Sequence, residues 1–253
     1  MPSAAPGESV PAGTAPFVAL ARDAGLVGLR LTDAQIEACA RYAADLIEAT
    51  KTINLTAITD IEQIAVKHFL DSFTAYAARS WTGHERIIDV GSGAGFPGLP
   101  LQIAFPSSTV TCVEATGKKA RAIERFRELL GLSCVRVENA RAEELSRLAA
   151  HRARYDVATA RALGSLAECA ELLLPFLRVG GDAIVWKGRI EHELPSLQKA
   201  LTSIGGDVAS VVTTASLGLG ERLPGRQLVV LRKTRATPER YPRTPAEVKR
   251  RPW

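Results

Sequence analysis

The sequence predicts an α/β fold: a mostly parallel sheet of seven strands, covered by helices on both faces, closed by an antiparallel C-terminal hairpin and preceded by N-terminal helices. Three observations carry this. From Arg86 onward, short apolar runs alternate with helical periodicity, the pattern that joins parallel strands through crossover helices. Gly91, Gly93 and Gly95 follow directly on the first such run and let the chain turn with no Cβ between backbone and a ligand. The last two strand-like runs lie too close together for a crossover helix, so they pair antiparallel.

Taken in order, residues 1–16 have neither a basic start nor a continuous apolar stretch and read as a disordered leader, not a signal peptide. Residues 17–80 form a helical segment packed on the sheet domain. Ile36, Cys39, Ala43, Leu46, Ile47 and Thr50 recur at spacings of three and four behind Thr32 or Asp33 as N-cap, and a second helix spans residues 61–79, entered from the stretch at Asn54. Residues 81–232 form the sheet domain, with strands at 87–90, 109–114, 134–138, 155–160 and 182–186. Between them a helix begins at Pro97, another over 118–130 stops at Gly131, and a third over 166–177 is closed by Gly180 and Gly181. Runs at 208–214 and 227–231, joined by a glycine-rich stretch, make the closing hairpin. Residues 233–253 form a basic tail.

The chain's 46% apolar and 23% charged residues are ordinary for a globular protein with a sizeable core. The most apolar region, residues 166–187, is interrupted by Glu168, Glu171, Pro175, Arg178 and Asp182, so no membrane span is expected and the protein is read as cytoplasmic. Cys39, Cys112, Cys134 and Cys169 lie far apart, without a C-x-x-C pair or histidines at metal spacing; they read as reduced core cysteines and no metal is implied. The net charge of +5 is unevenly spread: residues 232–251 hold eight basic side chains against Glu239 and Glu247, which is +6 and leaves −1 for the remainder. Such a tail can neutralise nucleic-acid phosphates; the competing reading is a solvated appendage that keeps the protein in solution.

Glu114 closes the second strand 19 residues after Gly95, where a doubly wound fold places the carboxylate that accepts hydrogen bonds from ribose hydroxyls. The glycine pattern is G-x-G-x-G followed by Phe96-Pro97-Gly98, not the G-x-G-x-x-G that sets a pyrophosphate on a helix N-terminus. The wider loop suits a ligand without phosphates, such as S-adenosylmethionine. In such a sheet the ligand lies over the carboxyl ends of the strands. After the third strand come Arg141, Ala142 and Glu143, placed to meet an adenine edge; after the fourth comes Arg161 and after the fifth Lys187, converging on the cofactor unless they are surface charges at loop ends.

Absences narrow the reaction. No Asn/Asp-Pro-Pro-aromatic follows the fourth strand to orient an exocyclic amine, no Pro-Cys pair offers a thiolate for attack on cytosine, and no Tyr-x-x-x-Lys serves hydride transfer. An acceptor with a free lone pair, such as guanine N7, needs no general base, and Arg or Lys donors at its neighbour O6 are the commonest way proteins hold that base.

The segments NLTAI from Asn54, VKHFLDSF from Val66, IDVGSGAGFPGLPL from Ile88, RAEE from Arg141, ARAL from Ala160 and WKG from Trp186 together make the chain resemble the bacterial 16S ribosomal RNA guanine-N7 methyltransferases, also called the glucose-inhibited division protein B family. The resemblance runs from about Asn54 to Leu231. It implies a Rossmann-like S-adenosylmethionine-dependent methyltransferase whose cofactor meets Gly91 and Phe96 in the glycine turn, Ala142 and Glu143, and Arg161, with Glu114 at the ribose; Gly93 and Gly95, read from the glycine pattern, are expected to meet the cofactor as well. It further implies roles near the RNA base for Asn54, His68, Asp71, Arg141 and Lys187, with a buried structural histidine the competing reading of His68. The expected partner is 16S ribosomal RNA or a small-subunit particle, met by a monomer, with neither membrane nor metal. Because guanine N7 lies in the deep, narrow groove of A-form RNA, the target is expected in a loop or distorted segment.

Overall fold

The computed structural model describes residues 15–253, so the expected leader lies outside it except for Ala15 and Pro16, which already belong to α1, Ala15–Leu26. Helix α2, Asp33–Thr50, starts from a capping box: the Thr32 hydroxyl accepts the Gln35 N–H while the Gln35 side chain accepts the Thr32 N–H, which settles the cap on Thr32. The helix expected over 61–79 is four joined pieces: α3, Ile61–Ile64; a π-helical stretch, Ala65–Leu70; α4, Asp71–Phe73; and a 3-10 turn, Thr74–Ala78. π-Helical turns are rare and recur at functional sites. This one carries His68.

The sheet domain runs β1 (Arg86–Val90), α5 (Gly98–Ala104), β2 (Thr109–Val113), α6 (Gly117–Leu129), β3 (Val135–Glu138), α7 (Ala142–Leu145), β4 (Tyr155–Arg161), α8 (Leu166–Leu173), β5 (Leu177–Lys187), α9 (Leu194–Ile204), β6 (Gly206–Thr213), β7 (Gln227–Lys233) and α10 (Pro245–Arg250). The seven strands lie in the order β3-β2-β1-β4-β5-β7-β6, parallel from β3 to β5, with β7 antiparallel to both β5 and β6. The order reverses between β1 and β4, and a doubly wound sheet opens its ligand crevice at that point, beyond the strand carboxyl ends.

Two expectations need correction. Helix α8 ends at Leu173 and a 3-10 turn containing Pro175 follows, so Gly180 and Gly181 do not close a helix but lie inside β5. There the β4–β5 register slips: Tyr155 faces Leu177 while Val157 faces Asp182, and a Cβ on Gly181 would come 2.9 Å from the Asp156 carbonyl. Helix α9 is additional to the expected elements, although Leu194, Leu197, Leu201 and Ile204 share a face and Gly205, at φ 102°, caps it in the left-handed region.

Alternation along the strands divides the core between the two faces. Ile87, Val110, Val157 and Ile184 pack with Phe17, Tyr42, Phe69 and Phe126, so the N-terminal helices complete the core on one side. Ile88, Val90, Ala158 and Val185 pack with Leu173, Leu197 and Leu201 on the other. Each fully buried aromatic contributes about 1.5–3 kcal/mol of transfer free energy. Phe17 and Phe69 of the helical segment thus share one core with Phe126 of α6 and the sheet.

The tail is not a solvated appendage. Arg232 pairs with Asp182, buried Lys233 donates to the Leu177 carbonyl at 2.6 Å, and Arg152 donates to the carbonyls of Thr237, Pro238 and Tyr241. Arg243 pairs with Glu171 of α8 at 2.7 Å. Of the eight basic side chains, these three are spent inside the fold.

Candidate active site

The loop after β1 is held by the protein's own hydrogen bonds. The N–H groups of Gly91 and Ser92 donate to the Val113 carbonyl at 2.9 and 3.1 Å, and the Ser92 hydroxyl donates to the Asp89 carbonyl. Asp89 is fully buried. Its carboxylate accepts the Thr159 hydroxyl at 2.8 Å and the Gly98 N–H at 3.1 Å, tying the loop's two ends to β4, and burial pushes its carboxyl above the usual carboxylate range. From the N-terminal side the Tyr42 hydroxyl donates to the Ala94 carbonyl, and the Tyr42 ring stacks on Phe96 with centroids 4.9 Å apart.

A cleft of about 540 Å3 opens over this loop, lined among others by Gly91, Gly93, Phe96, Glu114, Arg141, Ala142, Glu143, Arg161 and Leu163. Glu114 accepts the Gly93 N–H on one oxygen at 3.0 Å and the Thr116 N–H on the other at 2.8 Å, which fixes its carboxylate while lone pairs remain for hydroxyl donors. Gly93 stands at φ 59°, and a Cβ there would meet nothing closer than 4.0 Å, so the absent side chain leaves open room in the cleft. A carboxylate for a ribose, an open glycine turn, and Phe96, Ala142 and Leu163 for an adenine together fit S-adenosylmethionine. Gly95 is different. It is not among the lining residues, and a Cβ on it would come 2.6 Å from the Tyr42 hydroxyl and 2.8 Å from Leu99, so it serves the packing of loop on helix.

A second cleft, of about 530 Å3, shares His68, Arg161 and Ala162 with the first and adds Lys67, Trp186, Lys187 and Arg226. Arg161 stands at the junction. Its guanidinium donates to Asp71 Oδ2 at 3.1 Å, to the Lys67 carbonyl at 3.2 Å and to His68 Nδ1 at 3.3 Å, and lies 5.5 Å from the Phe96 ring centroid. Asp71, fully buried, also takes Arg226 Nε at 2.9 Å on its other oxygen. The Trp186 indole N–H donates to the Asp71 carbonyl at 2.8 Å. Since His68 Nδ1 accepts from Arg161, its Nε2–H faces Thr56 Oγ1 at 2.9 Å, which assigns the tautomer from the network. Burial, with the Arg161 charge, holds the imidazole down at about 4, so it is neutral at physiological pH. Ala162, the next residue, has φ 57°, a left-handed conformation unusual for a side chain with a Cβ, at the edge where both clefts meet.

Other expected residues fall elsewhere. Lys187 does not line the first cleft: its ammonium donates to the Gly164 carbonyl at 2.7 Å and pairs with Glu193 at 2.9 Å, leaving it on the wall of the second. Asn54 is exposed and lines neither cleft, while its neighbour Leu55 lines the first. Arg141 is exposed at the N-cap of α7, on the first cleft's rim. Arg226 was not singled out by sequence, because its partner Asp71 is 155 residues away. Cys39, Cys112 and Cys169 are buried with thiols pushed up by burial, Cys169 to about 12; Cys134, contrary to expectation, is exposed. Among the described residues no cluster of three His, Cys, Asp or Glu side chains is placed to hold a metal ion, and no helix is long and apolar enough to cross a membrane.

The switch-point cleft, the glycine turn and the seven-stranded sheet with its antiparallel β7 define an S-adenosylmethionine-dependent methyltransferase of Rossmann-like fold. Among solved structures, a mutant of MtNAS superposes with a TM-score of 0.51 at 15% identity, covering 87% of this chain and 76% of that one, a likeness of fold alone. Residues 35–220 match the family described as GidB: rRNA small subunit methyltransferase G, and the chain belongs to that family. Curated relatives named ribosomal RNA small subunit methyltransferase G include one from Dehalococcoides mccartyi (strain CBDB1), 42% identical over 86% of this chain and 91% of its own length. Another, from Roseiflexus castenholzii, is 44% identical over 89% and 94%. A third, from Leuconostoc citreum, is 40% identical over 93% and 97%.

Proposed function

We propose that this protein transfers the methyl group of S-adenosylmethionine to N7 of a guanine in 16S ribosomal RNA, with the cofactor in the first cleft and the acceptor nucleotide entering by the second. The observation that carries this reading is the wall the clefts share, His68, Arg161 and Ala162, which brings a cofactor cradle and a cationic cavity to one edge. When bound, the cofactor supplies a sulfonium methyl that is already activated, so the protein's task is positioning, which can lower a barrier by several kcal/mol, up to about 7–11 in well-oriented cases. Glu114 holds the ribose, Gly93 leaves room for the ligand, and Ala142 with Glu143 meets the adenine edge.

Arg161 is the residue that faces both ligands. Asp71, His68 and the Lys67 carbonyl take up three of its hydrogen bonds from behind, leaving the remaining N–H groups for a guanine O6 or a phosphate. A full positive charge beside a base that is itself becoming cationic is unfavourable, and buried Asp71, which Arg161 shares with Arg226, offsets part of it. His68, neutral and engaged at both ring nitrogens, orients Arg161 and moves no proton; N7 has none to lose. Lys67, Lys187 and Arg226 line the second cleft, where the phosphates flanking the target would run. The protein acts in the cytoplasm, as a monomer and without metal.

The test is incubation with labelled S-adenosylmethionine and small-subunit particles or naked 16S RNA lacking the modification, followed by chemical cleavage at 7-methylguanine to map the label. Label at a single guanine is expected. Label on a base nitrogen other than N7, or on protein, overturns the assignment.

A further inference from the structure

We propose that residues 234–253 are an anchored strap whose helix α10 holds ribosomal RNA backbone beside the cofactor cleft, with Lys249, Arg250 and Arg251 on the phosphates; this rests on the ribosomal RNA reading above. Helix α10 buries none of its own residues, while Tyr241 before it and Trp253 after it pack on the core. It is fixed from both sides by one carboxylate. Glu171 of α8, 2% exposed, accepts the Arg243 backbone N–H at 2.7 Å, the Arg243 guanidinium at 2.7 and 2.9 Å, and the Trp253 indole N–H at 2.7 Å. Arg243 also donates to the Arg251 carbonyl at 2.7 Å, and its guanidinium lies 4.3 Å from the Trp253 ring centroid. Charge-assisted hydrogen bonds of this kind are the strong ones. A tail that merely keeps a protein in solution requires no such anchor.

The anchor also decides where the helix stands. Pro245, Val248 and Lys249 line a cavity of about 390 Å3 whose facing wall includes Glu143, Leu163 and Leu172, residues that line the cofactor cleft as well. The three cations at the helix's carboxyl end are exposed, and none forms an ion pair among the described residues. Glu247, the acid nearest to them in sequence, is taken up by the Thr244 cap. A solvated basic helix held at the rim of a cleft that works on RNA matches the phosphate backbone in charge, and backbone contacts of this kind fix register without reading sequence.

The experiment compares the full chain with K249Q/R250Q/R251Q and, separately, with R243Q, for binding of unmodified 16S RNA across salt. Each lost phosphate contact lowers the salt slope by roughly 0.7–0.9, so the affinity advantage of the full chain over the triple variant should shrink roughly 20- to 40-fold between about 50 and 200 mM salt. R243Q should speed tryptic cleavage of the Lys249–Arg250 and Arg250–Arg251 bonds, by freeing the backbone of the helix end, and show the triple variant's slope, because the cations remain but their placement is lost. Cofactor affinity by calorimetry should be unchanged in the triple variant. An unchanged salt slope in the triple variant overturns the clamp and leaves the strap a structural brace. A full chain that transfers no methyl to RNA counts instead against the ribosomal RNA reading.

Discussion

Asp71 is the residue that ties the two arginines of the second cleft to the fold. It is a fully buried carboxylate shared by two guanidiniums, Arg161 and Arg226, so it offsets one of their two positive charges and leaves the trio at +1. Removing one charge from a buried network is costly because it leaves the others uncompensated; Asp71→Asn should lower stability by about 3–5 kcal/mol, read as a lower urea midpoint at unchanged slope. A loss below about 1 kcal/mol would mean that water already solvates both arginines. His68 gives the site a pH dependence. Its imidazole falls from the ordinary 6.5 to about 4 in the folded protein, so between those values the unfolded chain binds the proton more readily. The stability His68 contributes is complete above pH 6.5 and lost as pH falls toward 4. His68→Gln should flatten the urea midpoint over that window, and an unchanged pH profile would show another group responsible. Glu114 already holds two backbone N–H groups, so Glu114→Ala would loosen the loop as well as the ligand. Glu114→Gln keeps the shape but sets an NH2 against one of those N–H groups, and should weaken cofactor binding with a smaller loss of stability than Glu114→Ala, since hydrogen bonds to a charged acceptor contribute about 1.5–3 kcal/mol each. Equal affinity in calorimetry would remove Glu114 from the ribose.

At the scale of elements, the glycine turn separates two roles that its sequence presents as one. Gly93→Val fills the open room over the loop and should abolish cofactor binding at the cost of local strain at φ 59°, whereas Gly95→Ala adds to its strain at φ 93° a clash with Tyr42 and Leu99 and should destabilise the fold more, before it touches the ligand. Thermal melts and calorimetry on the two variants distinguish them; the reverse pattern would mean that the turn's faces are exchanged. The turn and Glu114 were legible in sequence because their geometry is local, set within 25 residues of one βαβ unit. The Asp71–Arg161–Arg226 network was not, since its members lie 90 and 155 residues apart and only tertiary packing brings the start of α4, the end of β4 and the residue before β7 together. Local rules misled at Gly180 and Gly181. Paired glycines resemble a helix stop, but here they give β5 the close approach to Asp156 that its register slip requires. The spacing of Leu194, Leu197, Leu201 and Ile204 did carry a signal for α9, which Pro195 and Gly205 punctuate at its two ends.

At the scale of the whole molecule, the helices before β1 are part of the core and not an appended segment. Tyr42 holds the glycine turn through Ala94 and lies against Phe96, Phe69 and Phe126. Phe17 packs edge-on to Phe69. A chain beginning after residue 53 would lose these contacts and leave Phe69, Phe96 and Phe126 without cover, several aromatic burials of about 1.5–3 kcal/mol each against a net stability of roughly 5–15 kcal/mol. It should therefore neither fold cooperatively nor bind the cofactor, although every residue proposed to touch the cofactor remains. In the full chain, unfolding followed by tryptophan fluorescence from Trp81, Trp186 and Trp253 should coincide with that followed by circular dichroism, because the aromatic core joins helices and sheet into one unit. S-adenosylmethionine at about 100 times its Kd should stabilise that unit by about 2.7 kcal/mol, raising the melting temperature by roughly 5–10 °C. A shortened chain that melted cooperatively with the same cofactor shift would show that the sheet domain holds its glycine turn unaided, and that Tyr42 is only a lid upon it.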